Sequence, residues 1–120
     1  MKTIGVLTSG GDAPGMNAAI RSVVRCAVYR GLKVKGILRG YKGLIGDEVI
    51  DMDARSVSNI LSHGGTVLKT ARSKEFMTKS GRKKAFETIK KHAIDGLVII
   101  GGNGSFTGAY IFGKEFKVPS

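Results

Sequence analysis

The sequence predicts an α/β fold in which a parallel sheet carries helices on both faces within one domain spanning residues 1–120. Three observations lead there. Short strand-like segments alternate with amphipathic helix-like ones along the chain. The two most apolar runs, Ile4 to Thr8 and Leu97-Val98-Ile99-Ile100, have the composition of strands buried on both faces of a parallel sheet. Each of these runs leads directly into glycines, as strands of a three-layer, Rossmann-like sheet do where a ligand sits at their carboxyl ends.

The elements follow in order. After the strand at Ile4 to Thr8, Met16, Ala19, Ile20, Val23, Val24, Ala27 and Val28 recur at three- and four-residue spacing, while Asn17, Arg21, Arg25 and Arg30 fall elsewhere; this predicts a helix whose first turn suits Pro14. Leu32 to Leu38 alternates, with Leu32, Val34, Gly36 and Leu38 on one side and Lys33 and Lys35 on the other, and reads as a strand. Further helices are predicted over Ser56 to Ser62, over about Ser80 to His92, and from near Ser105. A last strand begins at Phe116 to Val118, where the chain stops, so the sheet is expected to be truncated. No internal repeat or linker divides the chain.

Composition narrows the function classes. The 120 residues are 42% hydrophobic and 24% charged, ordinary for one compact core. No segment approaches the roughly 20 apolar residues needed to cross a bilayer, and the first residues run into a strand pattern instead of a signal peptide, so a soluble, cytoplasmic protein is expected. The single cysteine, Cys26, has no disulfide partner and reads as a small buried or half-buried hydrophobe. A formal net charge of +11, from 20 basic and 9 acidic residues, calls for an anionic partner. Lys79, Arg82, Lys83, Lys84, Lys90 and Lys91 supply much of it and read as the solvated face of a helix around Phe86 and Ile89. Charge alone does not choose among nucleic acid, acidic lipid and phosphorylated small molecules; without interleaved aromatics, basic heptads or zinc-finger spacing nucleic acid ranks third, and no nucleic-acid or membrane partner is expected.

Two loops have the form of an anion seat. The first, Thr8-Ser9-Gly10-Gly11-Asp12-Ala13-Pro14-Gly15-Met16-Asn17, turns from strand to helix through glycines, and the helix start offers unpaired N–H groups and a positive dipole end. It has no Gly-Lys-Ser/Thr and lacks the dinucleotide spacing, and alone it could equally be a plain connection. The second, Ile99-Ile100-Gly101-Gly102-Asn103-Gly104-Ser105-Phe106-Thr107-Gly108, repeats the arrangement and lets a diphosphate approach the backbone, with the Ser105 hydroxyl as a further donor. Loops at the carboxyl ends of parallel strands lie on one edge, so the two can converge. A third segment, His63 to Ser73, sets small residues around Arg72, whose planar fork suits phosphate oxygens although an exposed loop arginine is the blander reading.

Ile4-Gly5-Val6-Leu7-Thr8-Ser9-Gly10-Gly11-Asp12-Ala13-Pro14-Gly15-Met16-Asn17-Ala18-Ala19-Ile20-Arg21, then Gly40-Tyr41-Lys42-Gly43-Leu44, then Gly64-Gly65-Thr66 with Thr70-Ala71-Arg72, then Gly101-Gly102-Asn103-Gly104-Ser105, together resemble bacterial ATP-dependent 6-phosphofructokinases along the whole chain. The resemblance implies transfer of the ATP γ-phosphoryl group to fructose 6-phosphate to give fructose 1,6-bisphosphate, with Mg²⁺, in a cytoplasmic homotetramer with allosteric sites. It implies that Gly11 approaches the ATP phosphates, that Tyr41 lies near the nucleotide, and that Arg72 and Ser73 border the phosphate chain, Arg72 stabilising transition-state charge. Gly102, Asn103, Gly104, Ser105 and Gly108 would form the second nucleotide loop, and glycine at 104 favours ATP over pyrophosphate, whose enzymes commonly carry aspartate there. Arg21 and Arg25, four apart on the first helix, would bind the phosphates of an effector, ADP or phosphoenolpyruvate, with Arg55 nearby.

Three departures stand out. Asn103 occupies the place of the family's usual aspartate, so the one metal candidate offers Mg²⁺ an amide oxygen without charge. Ala54 stands where many members have an effector-site arginine, leaving Arg55 one position away, and Asn59 and His63 replace residues often charged. The chain stops at Val118-Pro119-Ser120, before the aspartate-rich loop in which the family carries its catalytic base, so these 120 residues are expected to be inactive alone. The alternative is a non-catalytic nucleotide or phosphate binder with a degenerate metal site.

Overall fold

The computed structural model describes residues 2–9, 16–53, 55–57, 68, 74–101 and 110–114. Four strands, β1 (Thr3–Thr8), β2 (Lys33–Ile37), β3 (Val49–Met52) and β4 (Gly96–Ile100), form one sheet in the order β3-β2-β1-β4. β1 is central and parallel to both neighbours, with Val6 opposite Gly36 on one side and Val98 on the other. All six of its residues are buried, as its uninterrupted apolar run requires.

Helices cover both faces. Ile4 and Val6 of β1 point with Val34 of β2 toward α1 (Met16–Tyr29), where they pack on Ile20, Val24 and Ala27 together with Val57 and Leu68. Leu7, Ile37 and Leu97 point the other way, into a core made with Tyr41 and Leu44 of α2 (Gly40–Ile45) and Ala85 and Ile89 of α3 (Lys79–Lys91). The three-layer α/β architecture is therefore as expected. Period-two alternation is its cause: consecutive residues of β1 serve opposite cores.

The lysine-rich helix behaves as its pattern demands except at Arg82, expected on the solvated face but half-buried because its guanidinium reaches back to the Phe76 carbonyl. Gly81, Ala85, Thr88 and Ile89 are buried and Phe86 is half-buried, whereas Lys79, Lys83, Lys84, Lys90 and Lys91 are exposed. Thr78 caps it, its Oγ1 accepting from the Gly81 N–H at 3.0 Å.

Several expectations are corrected. The sheet is mixed, because β3 runs antiparallel to β2 with Ile37 opposite Val49 and Val34 opposite Met52. Residues 38–48, holding only the six-residue α2, are too short a connection to carry the chain back across the sheet for a parallel strand. Neither α2 nor β3 was expected. Cys26 is exposed and lines a groove of about 330 Å³ together with Ile4, Val23, Ala27 and Leu32. It lies two residues from Val24 and one from Ala27, off the buried stripe. Asn17, set apart from that stripe by its polarity, is buried, since it precedes Ile20 by three positions and Val24 by seven and so shares their face. Val28, counted within the stripe, is 40% exposed. Of the predicted helix over Ser56 to Ser62, only a 3₁₀ turn at Arg55–Val57 falls among the described residues. Residues 110–114 are helical, in keeping with a helix entered after Gly101, while its start near Ser105 and the strand at Phe116 to Val118 lie outside the described residues.

Candidate functional site

The carboxyl ends of β1 and β4 meet. Thr8 stands opposite Ile100 in the ladder, and the Ser9 N–H donates to the Ile100 carbonyl at 2.9 Å, so the chain leaves both strands side by side. The crossover from β1 through α1 leads to β2 on one side, while β4 arrives on the other side after α3 on the opposite face. The gap between β1 and β4 is thus the topological switch point of the parallel part of the sheet, where open α/β sheets take ligands. Both glycine-rich loops start there.

The same edge collects two further segments. β2 ends on it and passes at once into α2, so Gly40 and Tyr41 begin beside the switch point. Arg39, left-handed at φ 58°, donates its backbone N–H to the Leu68 carbonyl at 2.9 Å, which places Leu68, four residues before Arg72 in the sequence, at this edge. The Arg39 side chain holds Glu48 bidentately, Nε to Oε1 at 2.9 Å and Nη2 to Oε2 at 2.6 Å, closing the turn from α2 into β3.

An aromatic group binds these segments together. The Tyr41 ring stacks on Phe76 with centroids 4.0 Å apart and planes 14° from parallel, and Phe76 meets Phe112 at 5.4 Å. Tyr41 comes from the Gly40–Leu44 motif, Phe76 from the turn Glu75–Met77 just after Ser73, and Phe112 from the helical residues beyond the second glycine loop. Tyr41 is buried, and burial pushes its phenol up to about 12, so it stays neutral at physiological pH. Sequence reasoning overlooked Phe76 and Phe112. Their only signal was position, Phe76 shortly after the segment that carries Arg72 and Phe112 shortly after the second glycine loop.

Of the predicted nucleotide-site residues, Tyr41 is the one described, on the α2 and α3 side of the sheet. Gly11, Arg72, Ser73, Gly102, Asn103, Gly104, Ser105 and Gly108 lie outside the described residues, as do Ala54, Asn59 and His63. Among the described residues no group of three or more His, Cys, Asp or Glu is placed to hold a metal ion. The predicted effector residues are on the other face. Arg25 is exposed on α1, and Arg21, half-buried, keeps its Nε buried without a hydrogen-bond partner among the described residues. The turn carrying Arg55 packs on the same helix, Val57 entering the core beside Ile20 and Val24. No described helix is long and apolar enough to cross a membrane.

Comparison with known proteins agrees with this arrangement. A family profile described as phosphofructokinase matches residues 3–120. ATP-dependent 6-phosphofructokinase from Thermoanaerobacter sp. (strain X514) is 65% identical over 118 residues, covering 98% of this chain and 37% of the relative. ATP-dependent 6-phosphofructokinase 2 from Bacteroides thetaiotaomicron is 62% identical over 119 residues, 99% of this chain and 36% of the relative. The chain therefore spans little more than a third of the curated relatives it matches. Among solved structures, Pichia pastoris phosphofructokinase in the T-state superposes with a TM-score of 0.93 at 47% identity, covering 96% of this chain and 13% of that one. Pyrophosphate-dependent phosphofructokinase from Marinobacter aquaeolei, at 21% identity and a TM-score of 0.82, shares the fold over 99% of this chain and 31% of its own. With the profile matched from the first strand to the last residue, and the glycine loops leaving its sheet at one switch point, the chain belongs to the phosphofructokinase family.

Proposed function

We propose that this chain is the nucleotide-binding part of an ATP-dependent 6-phosphofructokinase, an enzyme that moves the ATP γ-phosphoryl group to fructose 6-phosphate. The observation that carries the reading is the 2.9 Å bond from Ser9 to Ile100, which starts both glycine loops from adjacent strand ends. Loops that begin that close can offer backbone N–H groups and a helix N-terminus to one polyphosphate. In this reading Gly11 and the loop of Gly102, Asn103, Gly104, Ser105 and Gly108 cradle the phosphates. Arg72 with Ser73 neutralises charge along the chain of phosphates, and Tyr41, stacked on Phe76, braces the nucleotide side of the site.

Phosphoryl transfer asks the protein for position and fixed positive charge more than for covalent chemistry. Mg²⁺, the family's metal, would supply charge neutralisation on the phosphates. The donor set does not suit a metal held by this chain, because Asn103 contributes a neutral amide where a hard dication prefers carboxylates. The same asparagine favours a second reading, a nucleotide binder without catalysis.

Arg21 and Arg25, with Arg55 on the adjoining turn, form the proposed seat for the phosphates of ADP or phosphoenolpyruvate. The Nε of Arg21, buried without a hydrogen-bond partner among the described residues, supports it, since an anion would satisfy that donor. Cytoplasmic location and a homotetramer belong to the same proposal, as does inactivity of the 120 residues by themselves.

Calorimetric titration of the chain with ATP and with AMP tests the reading. ATP is expected to bind at least about tenfold more tightly than AMP, a gap of about 1.4 kcal/mol, and Arg72→Met is expected to narrow it. Equal affinity for the two nucleotides would overturn the polyphosphate seat. A coupled assay is expected to give no turnover, and ATP affinity unaffected by Mg²⁺ would favour the non-catalytic reading.

A further inference from the structure

We propose that Asp47 is a pH-responsive positioning residue: clamped by Lys91 and His92, it sets α2 against α3 and thereby the stack of Tyr41 on Phe76. Asp47 lies in the turn after α2 at φ 62°, a left-handed conformation that aspartate tolerates better than most side chains. Both carboxylate oxygens are engaged, Oδ1 with His92 Nε2 at 2.6 Å and Oδ2 with Lys91 Nζ at 2.5 Å. Its partners are the last residue of α3 and the residue that caps it, where cations also favour the helix dipole. These are the described side-chain bonds that tie the end of α2 to the end of α3.

The charged groups around His92 are Asp47 from the turn after α2, Asp51 on β3, which feels its charge, and Lys91 on its own helix. Lys35 pairs with Asp51, and Lys33 also acts on that carboxylate. Hydrogen bonds from Lys91 and then His92 hold the Asp47 carboxyl below the usual carboxylate range, so it is ionised throughout neutral pH. Histidine as a side-chain type changes charge between about pH 5 and 8. An imidazolium at this place gives the clamp a second positive charge, and a neutral ring only a donor. Because α2 is six residues long, a shift at Asp47 reaches Tyr41 within two turns.

Near-ultraviolet circular dichroism reads this directly. The chain has no tryptophan and three tyrosines, of which Tyr29 and Tyr110 are 91% and 67% exposed, so the ordered tyrosine signal belongs to the stacked Tyr41. Spectra and thermal melts of the chain, of His92→Gln and of Asp47→Asn are to be compared at about pH 5.5 and pH 8.5, bracketing histidine's range. His63 is present in all three and cancels. The parent chain is expected to show a stronger tyrosine band and a higher Tm at the lower pH, relative to His92→Gln, whose band stays level. Asp47→Asn is expected to be weak at both. Parallel pH dependence in the parent and in His92→Gln overturns the proposal, as does an undiminished tyrosine band in Asp47→Asn. Should Asp47→Asn not fold, the comparison with His92→Gln decides alone.

Discussion

Nη1 of Arg82 donates to the backbone carbonyl of Phe76 across 3.0 Å, so the first turn of α3 holds the turn that carries the stacked ring. Thr78 works on the same turn, its hydroxyl donating to the Glu75 carbonyl at 2.6 Å while it caps α3. Replacing Arg82 with methionine keeps most of the aliphatic stem but removes the donor. The variant is expected to lose about 1 kcal/mol of stability, the worth of a typical partly buried hydrogen bond, measured as a lower urea midpoint; an unchanged midpoint would mean that the bond does not fasten the turn.

Two helices end in the same motif with different residues. After α1, the Leu32 N–H bonds to the Ala27 carbonyl and the Gly31 N–H to Val28, with Gly31 at φ 76°. After α3, Ile94 bonds to Ile89 and Ala93 to Lys90, with Ala93 at φ 53°. A Cβ in the left-handed region costs about 1 kcal/mol. Ala93→Gly is therefore expected to raise stability by about that amount and Gly31→Ala to lower it by a similar one. Thermal melts of the two variants should move in opposite directions.

Gly43 explains one letter of the Gly40–Leu44 motif. A Cβ there would fall 1.5 Å from the Leu38 carbonyl oxygen, a backbone atom that cannot swing aside. Gly43→Ala is expected to force α2 off β2 at the upper end of the roughly 1–3 kcal/mol typical of overpacking. Loss of the Tyr41 near-ultraviolet signal would accompany it.

Asp95 ties the N-terminal strand to the sheet. Its Oδ2 accepts from the backbone N–H groups of Lys2 at 2.8 Å and Thr3 at 2.9 Å, and these bonds, Lys2 first, hold its carboxyl below the usual range. A lowered folded value means that the stabilisation is present above the unfolded carboxyl's pKa of about 4 and is lost as pH falls through the folded value. Asp95→Asn is expected to lower the urea midpoint at pH 7, and the gap from the parent should close in acid. A gap independent of pH would contradict it.

The Tyr41 phenol, raised by burial to about 12, predicts a late step in alkaline titration followed by phenolate absorbance. Since the neutral form is the one the core accepts, this contribution to stability is complete below the ordinary phenol value of about 10 and is lost as pH climbs toward 12. Tyr41→Phe should abolish the late step. If the step survives in that variant, the late phenol is another tyrosine.

What was legible in the chain was what local pattern controls. The apolar run at Ile4 to Thr8 became β1 with one residue added, the alternation at Leu32 to Leu38 became β2 at Lys33–Ile37, the stripe from Met16 to Val28 falls within α1, and the helix predicted over about Ser80 to His92 appeared at Lys79–Lys91. The edge where Ser9 and Gly101 lie was legible too, because parallel strands order their loops. α2 and β3 were not. α2 contains two glycines in six residues, a poor helix former, and it is held by Tyr41 and Leu44 in the core. β3, with Asp51 within its four residues, is held by pairing with β2.

By itself, then, the sequence determined the layers, the two most apolar strands and the positions of the phosphate-type loops, since hydrophobic period and glycine placement act over a few residues. Only the tertiary structure decided that β3 runs backwards and that Tyr41 stacks on Phe76. It alone joined Asp47 to a helix end more than forty residues away. Those outcomes depend on which surfaces remain uncovered once β1, β2 and β4 have paired, and contacts between residues distant along the chain leave no local pattern to read.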